Sequence, residues 1–353
     1  MTPILVGEGA LEAASGDLAD WLSGRTVFLL STPRVLSLHG QRLEALRPAA
    51  ARWVTLTVEE GEGAKRVAVA ERLWSEMLAA GGKRDSRLLA FGGGSVGDLG
   101  GFAAGCFLRG IEVVQLPTTL LAQVDAAIGG KTAVDLPAGK NTVGLFHHPA
   151  QVVADTALLS TLPREELRSG LVEVMKMACL LDPPLFARLE AELPALLAGD
   201  PRALAPVVAA GAAAKARVVE RDPREAGDRR LLNLGHTLGH AIEAAQEYGG
   251  LRHGEAVAYG ILFALRLAAS RGLDPAMGDR FRGLLARLDL PPLPAIPAAQ
   301  LVALLARDKK AREGGLAWVL PRSLGEGRIA SGIEEAEVEA ELGRFLRDPW
   351  TAL

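Results

Sequence analysis

The first 155 residues alternate short apolar runs with helical periods, and after about Leu159 the strand-like runs almost stop. TVFLLST, WVTLTV, RLLAFGGG, IEVVQLP and QVVAD are apolar and rich in β-branched or aromatic residues, and they read as strands. Helical stretches near 34–47 and 65–80 separate the first three. Strands joined through helices pair in parallel, because a parallel neighbour needs a crossover and a hairpin cannot supply one. This pattern predicts an α/β unit with a mainly parallel, doubly wound sheet. From TLPREELRSGLVEVMKMACLL to about residue 310 the chain reads as helices. GLAWVLPRSLGEGRI is a late strand hairpin and 334–347 a closing helix. The expectation is two domains, 1–159 for a nucleotide and 160–353 mostly helical, with a site in the cleft between them.

Composition narrows the class. A 49% hydrophobic chain of 353 residues can bury sizeable cores. A net charge of −3 gives no footprint for nucleic acid or an anionic membrane. Cys106 and Cys179 are far apart and read as reduced thiols. The first residues lack a basic segment followed by a long apolar one, so a cytoplasmic protein is expected.

Two residue types are scarce. The chain has two asparagines, Asn141 and Asn233, and eight of its 39 basic residues are lysines: Lys65, Lys83, Lys131, Lys140, Lys176, Lys215, Lys309 and Lys310. A pressure that removed them elsewhere leaves survivors where substitution was unacceptable. An ammonium is not interchangeable with a planar guanidinium, and only an amide offers donor and acceptor together.

Gly92-Gly93-Gly94-Ser95-Val96-Gly97 fits G-x-G-x-x-G, follows a strand and opens a helix. That is the context in which such a loop admits a pyrophosphate to a helix N-terminus. Earlier, GEGAK offers Glu62 for ribose hydroxyls beside Lys65; spacing alone equally allows a solvated helix start. The segment LPTTLLAQVDAAIGGKTAVDLPAGKNTVGLF is dense in Gly, Thr, Asp and Lys. Its Thr118 and Thr119 suit a nucleotide. Asp125, Lys131, Lys140 and Asn141 suit a polar, phosphorylated substrate.

Three of six histidines, His236, His240 and His253, fall within 18 residues. His236 and His240 are four apart and share a helix face. Glu173 stands in the otherwise apolar SGLVEVMKMA, with Lys176 on the same face. Neutral imidazoles with a carboxylate and an open position make a catalytic zinc site. His39, His147 and His148 read as loop or helix-end residues. Asp308-Lys309-Lys310 is ambiguous by itself.

GGGSVGDLGGF, LPTTLLAQVDAAIGGKTAVD, GKNTVG, EVMK, NLGHTLGHAIE and HGEAVAYG resemble, in order, the motifs of the 3-dehydroquinate synthase family. The resemblance spans essentially the whole chain and implies a Rossmann-like domain joined to a helical one. It implies Glu173, His236 and His253 as ligands of Zn2+ (or Co2+), and moves His240 to the substrate. It implies Arg109, Lys131, Asn141, His240 and one of Lys309 and Lys310 around a phosphate. Lys176, Lys215, Arg229 and Asn233 would meet the carboxylate and hydroxyls, and Asp125 both substrate and nicotinamide. Glu62, Lys65, Gly93, Gly94, Ser95, Asp98, Thr118, Thr119, Lys140, Thr161, Leu162 and Glu166 would line NAD, which Glu62 favours over NADP. STPR departs from the family near the first strand, which leaves Thr32 and Arg34 without an assigned adenine contact. The implied reaction is redox-neutral: 3-deoxy-D-arabino-heptulosonate 7-phosphate is oxidised, loses phosphate, is reduced again, and closes to a carbocycle. The implied assembly is a homodimer. Lys176, Lys215, Lys131, His240 and Asp125 are the residues expected at the chemistry.

The rival readings are another sugar-phosphate cyclase, a metal-dependent polyol or glycerol-phosphate dehydrogenase, and a nucleotide-binding regulatory module. Lys215 and Arg229 favour an acid-bearing substrate over the carboxylate-free sugar phosphates of other cyclases.

Overall fold

The computed structural model of the chain describes residues 2–137, 139–311 and 316–351, and the side chains of 307–311 lie outside it. The chain forms two compact units, one of Met1–Pro163 with Gly199–Glu220 and one of Arg164–Ala198 with Arg221–Leu353.

The first unit is built on a six-stranded sheet. Its strands are β1 (Ile4–Gly7), β2 (Thr26–Ser31), β3 (Arg52–Thr57), β4 (Arg87–Gly92), β5 (Glu112–Pro117) and β8 (Gln151–Asp155). They run in the order β1-β8-β5-β4-β2-β3, every pair parallel. β6 (Lys131–Leu136) and β7 (Gly139–Phe146) form a separate antiparallel hairpin. The parallel α/β expectation holds, and five of the six sheet strands are those read from the sequence. β1 escapes a sequence reading because ILVG is four residues long. The β6–β7 hairpin escapes because its Gly, Lys and Asn residues read as a loop, and most of β7 is exposed.

Both faces of the sheet are buried, as parallel strands require. Phe28, Leu30, Leu88 and Ala90 pack on one side with Leu73, Met77 and Phe102. Val27, Leu29, Leu89 and Phe91 alternate with them and pack on the other, with Leu18, Leu22 and Leu43. The helix Pro201–Arg221 belongs to this unit although its sequence neighbours are helices of the second. Its Ala212, Ala216 and Val219 form a small apolar cluster with Ile4, Val6 and Ile128. That return departs from a single division at 159/160. An Ala-rich helix docks wherever its smooth face finds a partner, and local sequence does not say where.

The second unit is helical, with one hairpin of β9 (Ala317–Ser323) and β10 (Glu326–Ser331). The helix His253–Ala269 is its axis, buried at every position from Gly254 to Ala268 except Arg266. Two glycines set how near its neighbours come. A Cβ on Gly254 would lie 2.1 Å from the Ser169 carbonyl oxygen of the helix Arg164–Leu181, and one on Gly260 only 1.8 Å from that of Gly235. Gly235 caps the helix His236–Ala245 in a left-handed conformation. The Ser169 hydroxyl also accepts the Gly254 amide at 2.9 Å. Three helices are thus held at near backbone contact. Among the described residues no helix is long and apolar enough to cross a membrane.

This close packing generates a paired prediction. Gly260→Ala forces a methyl against a backbone oxygen and is expected to lower unfolding free energy by about 1–3 kcal/mol. Gly283→Ala, exposed in the helix Pro275–Ala286 with nothing within 4 Å of its Cβ, is expected to raise it by about 0.5–1 kcal/mol. Urea unfolding of the two variants checks both signs.

Candidate active site

The helix Arg164–Leu181 places Glu173 and Lys176 one turn apart, with side chains 0% and 1% exposed. A buried charge is tolerated only with a partner, and here the Lys176 ammonium donates to Glu173 Oε2. Glu173 Oε1 faces two imidazoles, 3.9 Å from His236 Nε2 and 3.7 Å from His253 Nε2. His236 Nδ1 lies 3.2 Å from the Leu234 carbonyl oxygen, and His253 Nδ1 lies 3.4 Å from Glu243 Oε2. In each ring Nδ1 faces outward, to a carbonyl or carboxylate oxygen, and Nε2 faces Glu173. One carboxylate oxygen and two ring nitrogens within 4.8 Å of one another can hold a divalent ion with positions left open.

The electrostatics differ at the two rings. Burial, then the Lys176 charge, hold His236 well below the ordinary imidazole pKa, so its lone pair is available. Burial also acts to lower His253, but the hydrogen bond and charge of Glu243, followed by the charge of Glu173, leave it raised. His240, one turn along from His236, has its ring centroid 5.2 Å from that of His236 and 6.0 Å from that of His253. It forms with Glu243 and His253 a second group capable of holding an ion.

Beside the histidines is a cavity of about 200 Å3 lined by Glu225, Asn233, His236, Thr237, His240 and Arg230, with Ala317, Val319 and Ile329 as its apolar wall. Asn233 Nδ2 donates to Glu225 Oε1 at 2.8 Å. Arg229 is buried, its guanidinium donating to the Pro223 carbonyl and its amide to Asp222. Glu166 is ion-paired to Arg252 at 2.6 Å. Glu225 and Glu243 carry no sequence signal, because acidic residues are common. Glu225 stands at positive φ in an irregular loop, and only folding brings it to Asn233.

In the first unit β4 ends in Gly92, and Gly93 and Gly94 turn the chain into the helix Gly94–Cys106, which also carries Ser95 and Asp98. A Cβ on Gly92 would meet Val96 at 2.7 Å, and one on Gly97 the Gln115 side chain at 2.8 Å, so the turn is closed to larger residues. Lys65 is 2% exposed and donates to Asp98 Oδ2 at 2.7 Å and Asn141 Oδ1 at 2.5 Å. Glu62 Oε2 lies 3.7 Å from Lys65 Nζ and 3.6 Å from Lys140 Nζ. Burial pushes Asp98 up to about 6, against the pull of Lys65. Asn141, at φ 53°, donates its amide to Asp135 at 2.7 Å, which fixes the hairpin tip. The expected nucleotide residues Glu62, Lys65, Asp98 and Lys140 therefore come together, and Asn141 joins them.

Thr118 is buried at the end of β5, and the Thr119 hydroxyl accepts the Ala122 amide. Asp125 sits in a π-helical turn, Ala122–Ala126, a rare form that is frequent at functional sites. Its carboxylate is ion-paired with Lys215 of the returning helix. Thr161 ends a 3-10 turn just before Leu162 and meets His39 Nε2 at 2.8 Å. Thr32 caps the helix Pro33–His39 by accepting the Val35 amide. His147 bonds the Ile111 carbonyl. Arg109, at φ 71°, and Lys131, which opens β6, are both exposed. The side chains of Lys309 and Lys310 lie outside the described residues.

Two family models match consecutive parts of the sequence, 3-dehydroquinate synthase N-terminal over residues 55–169 and 3-dehydroquinate synthase C-terminal over 170–311. The chain belongs to the 3-dehydroquinate synthase family. A 3-dehydroquinate synthase of Xanthomonas oryzae pv. oryzae (strain PXO99A) is 44% identical over 346 residues, 95% of this chain and 93% of that one. Among solved structures, the 2-epi-5-epi-valiolone synthase of Streptomyces hygroscopicus subsp. jinggangensis 5008, with NAD+ and Zn2+ bound, matches at TM-score 0.90. It is 30% identical, with 98% of this chain and 97% of that chain covered. A 2-deoxy-scyllo-inosose synthase complexed with carbaglucose-6-phosphate, NAD+ and Co2+ matches at TM-score 0.87 and 27% identity, covering 97% and 96%. Both share the fold of this chain over nearly its whole length.

The two overlapping ligand groups generate the next prediction. His236→Ala and His253→Ala are expected to lose the divalent ion on dialysis, and His240→Ala to keep it, as read by elemental analysis. Loss on His240→Ala with retention on His253→Ala would overturn the Glu173 centre. Because His253 titrates above the ordinary imidazole value and His236 well below it, one proton should compete with the ion first. Ion affinity is then expected to weaken as pH falls from above 6.5, by about tenfold per pH unit. A second proton should enter only at much lower pH.

Proposed function

We propose that this chain converts 3-deoxy-D-arabino-heptulosonate 7-phosphate to 3-dehydroquinate and phosphate, using NAD and one divalent ion, Zn2+ or Co2+. The observation that carries the reading is the Glu173, His236 and His253 group opening onto the polar Asn233 and His240 cavity, in a chain of this family. When bound, NAD supplies a hydride acceptor that gives the hydride back, and the ion lowers the pKa of a coordinated hydroxyl. The chain's own residues bind, orient and neutralise. Glu173, His236 and His253 hold the ion. Gly93, Gly94, Ser95, Thr118, Thr119, Thr161, Leu162 and Glu166 line the dinucleotide together with Asp98. Glu62 and Lys140, clustered about Lys65, take the ribose side, and Glu62 repels the 2′-phosphate of NADP. Asn141, Arg109, Lys131, His240 and one of Lys309 and Lys310 hold the substrate phosphate. Lys176, Lys215, Arg229 and Asn233 take its carboxylate and hydroxyls, with Asp125 between Lys215 and the nicotinamide. Effective orientation of this kind is worth several kcal/mol of barrier.

The domain limits 1–159 and 160–353 remain the functional division within this reading, with Lys215 as the residue that the helical half lends to the first unit. The chain works in the cytoplasm as a homodimer. The exposed Leu136, Val143 and Phe146 of the β6–β7 hairpin supply an apolar face for a second copy. Both cysteines are unpaired, in keeping with a reducing compartment.

With the heptulosonate phosphate, one phosphate should be released per turnover, with NAD required and no lasting NADH absorbance. Stopped-flow absorbance beside a phosphate assay reads both. NADH accumulating without phosphate would point to a dehydrogenase instead, and faster turnover on a carboxylate-free sugar phosphate to another cyclase.

The lysines generate a separate expectation. Lys176 and Lys215 are buried against carboxylates, whereas Lys83 is exposed in the loop between helix and β4. Lys176→Arg and Lys215→Arg are expected to lower kcat/KM at least about tenfold, roughly 1.4 kcal/mol of transition-state stabilisation, as is Lys131→Arg. Lys83→Arg is expected to be silent. Equal, small effects at all four positions would overturn the reading of lysine scarcity.

A further inference from the structure

His253 opens a helix directly after a loop, and its ring is 30% exposed. A ring at a helix start does not by its own backbone position specify which nitrogen carries the proton. Glu243 faces one of the two. It lies on the helix His236–Ala245, seven residues after His236 and three after His240, so all three project from one face. Its side chain is 4% exposed, and Oε2 is 3.4 Å from His253 Nδ1. The backbone between them is pinned as well, since the Tyr248 amide donates to the Glu243 carbonyl at 2.9 Å. On the opposite edge of the ring, His253 Nε2 is 3.7 Å from Glu173 Oε1. His236 shows the same arrangement with a different anchor, Nδ1 at the Leu234 carbonyl and Nε2 towards Glu173.

We propose that Glu243 is a positioning residue for the ion centre: its buried carboxylate accepts the Nδ1 proton of His253 and so presents the Nε2 lone pair to the ion. The proposal rests on the Glu173, His236 and His253 centre described above. Outer hydrogen bonds of this type set ligand orientation and basicity, and their loss commonly weakens ion binding by 10–100-fold. The competing role is that of a direct ligand with His240 and His253, the second group in this region. It would place the ion at His253 Nδ1 beside Glu243, and would leave His236 and the buried Glu173 outside the centre.

The test combines zinc competition against a chromophoric chelator with 15N NMR of histidine-labelled protein in the zinc-free form, at a pH where the rings are neutral. In the unmodified chain His253 is expected as the Nδ1-protonated tautomer. Glu243→Ala should shift it to a mixture and raise the zinc Kd about 10–100-fold. Glu243→Gln, whose amide oxygen accepts the same proton, should keep the tautomer and recover most of the affinity. Zinc-saturated Glu243→Ala should regain most of kcat. Unchanged tautomer and Kd in Glu243→Ala would overturn the proposal. So would a Glu243→Gln loss as severe as that of His253→Ala, which would make Glu243 a ligand. An unmodified chain that retains no zinc would instead overturn the ion centre itself, and the positioning role with it.

Discussion

The near-backbone contact of three helices in the second unit is the constraint on which the rest of its site depends. Glu173, His236 and His253 sit on three separate helices, each within a few residues of a close approach. Ser169 meets Gly254 one turn before Glu173 and one residue after His253. Gly235, immediately before His236, meets Gly260. A side chain at either contact would separate the helices by more than an ångström, and ligand atoms grouped within 4.8 Å do not survive such a displacement. Packing and chemistry are therefore the same interaction here, and the glycines of NLGHTLGH and HGEAVAYG serve the backbone before they serve any ligand.

Charge burial follows from that packing. A helix as apolar as Arg164–Leu181 around residues 171–180 can hold Glu173 and Lys176 only as a pair. Burial, with the Lys176 charge second, holds His236 below the ordinary imidazole pKa. The first unit repeats the device with Lys65, buried between Asp98 and Asn141 beside Glu62, and with Lys215 against Asp125. In each case a compact ammonium meets a carboxylate, and Lys65 bridges oxygens from two distant segments, which a guanidinium of different shape and reach would not match. This accounts for lysine rather than arginine at positions 65, 176 and 215.

Much of the fold and of the site was legible before folding. Strand and helix periods report burial on one face or two, which is a local property, so the parallel sheet and the helical second half follow from them. Rarity flagged Lys65, Lys176, Lys215, Asn141 and Asn233, because an exception to a compositional trend needs a reason at its own position. Glu225, Glu243 and the return of Pro201–Arg221 to the first unit were not legible. An acidic residue in a loop or an alanine face on a helix is common, and its meaning depends on what lies opposite.

The sequence by itself determined five of the six strands of the parallel sheet, the helical second half, the glycine-rich turn after β4, the residue types of the candidate ion centre and the family. Each is recorded in local spacing or in order along the chain. Only the tertiary structure decided that Glu243 lies at one edge of the His253 ring while Glu173 faces the other, and that Asn141 shares Lys65 with Asp98. Those pairings join residues tens of positions apart through distances of 2.5–3.7 Å. Distances of that kind are set by how helices and strands close on one another, and no local period encodes them.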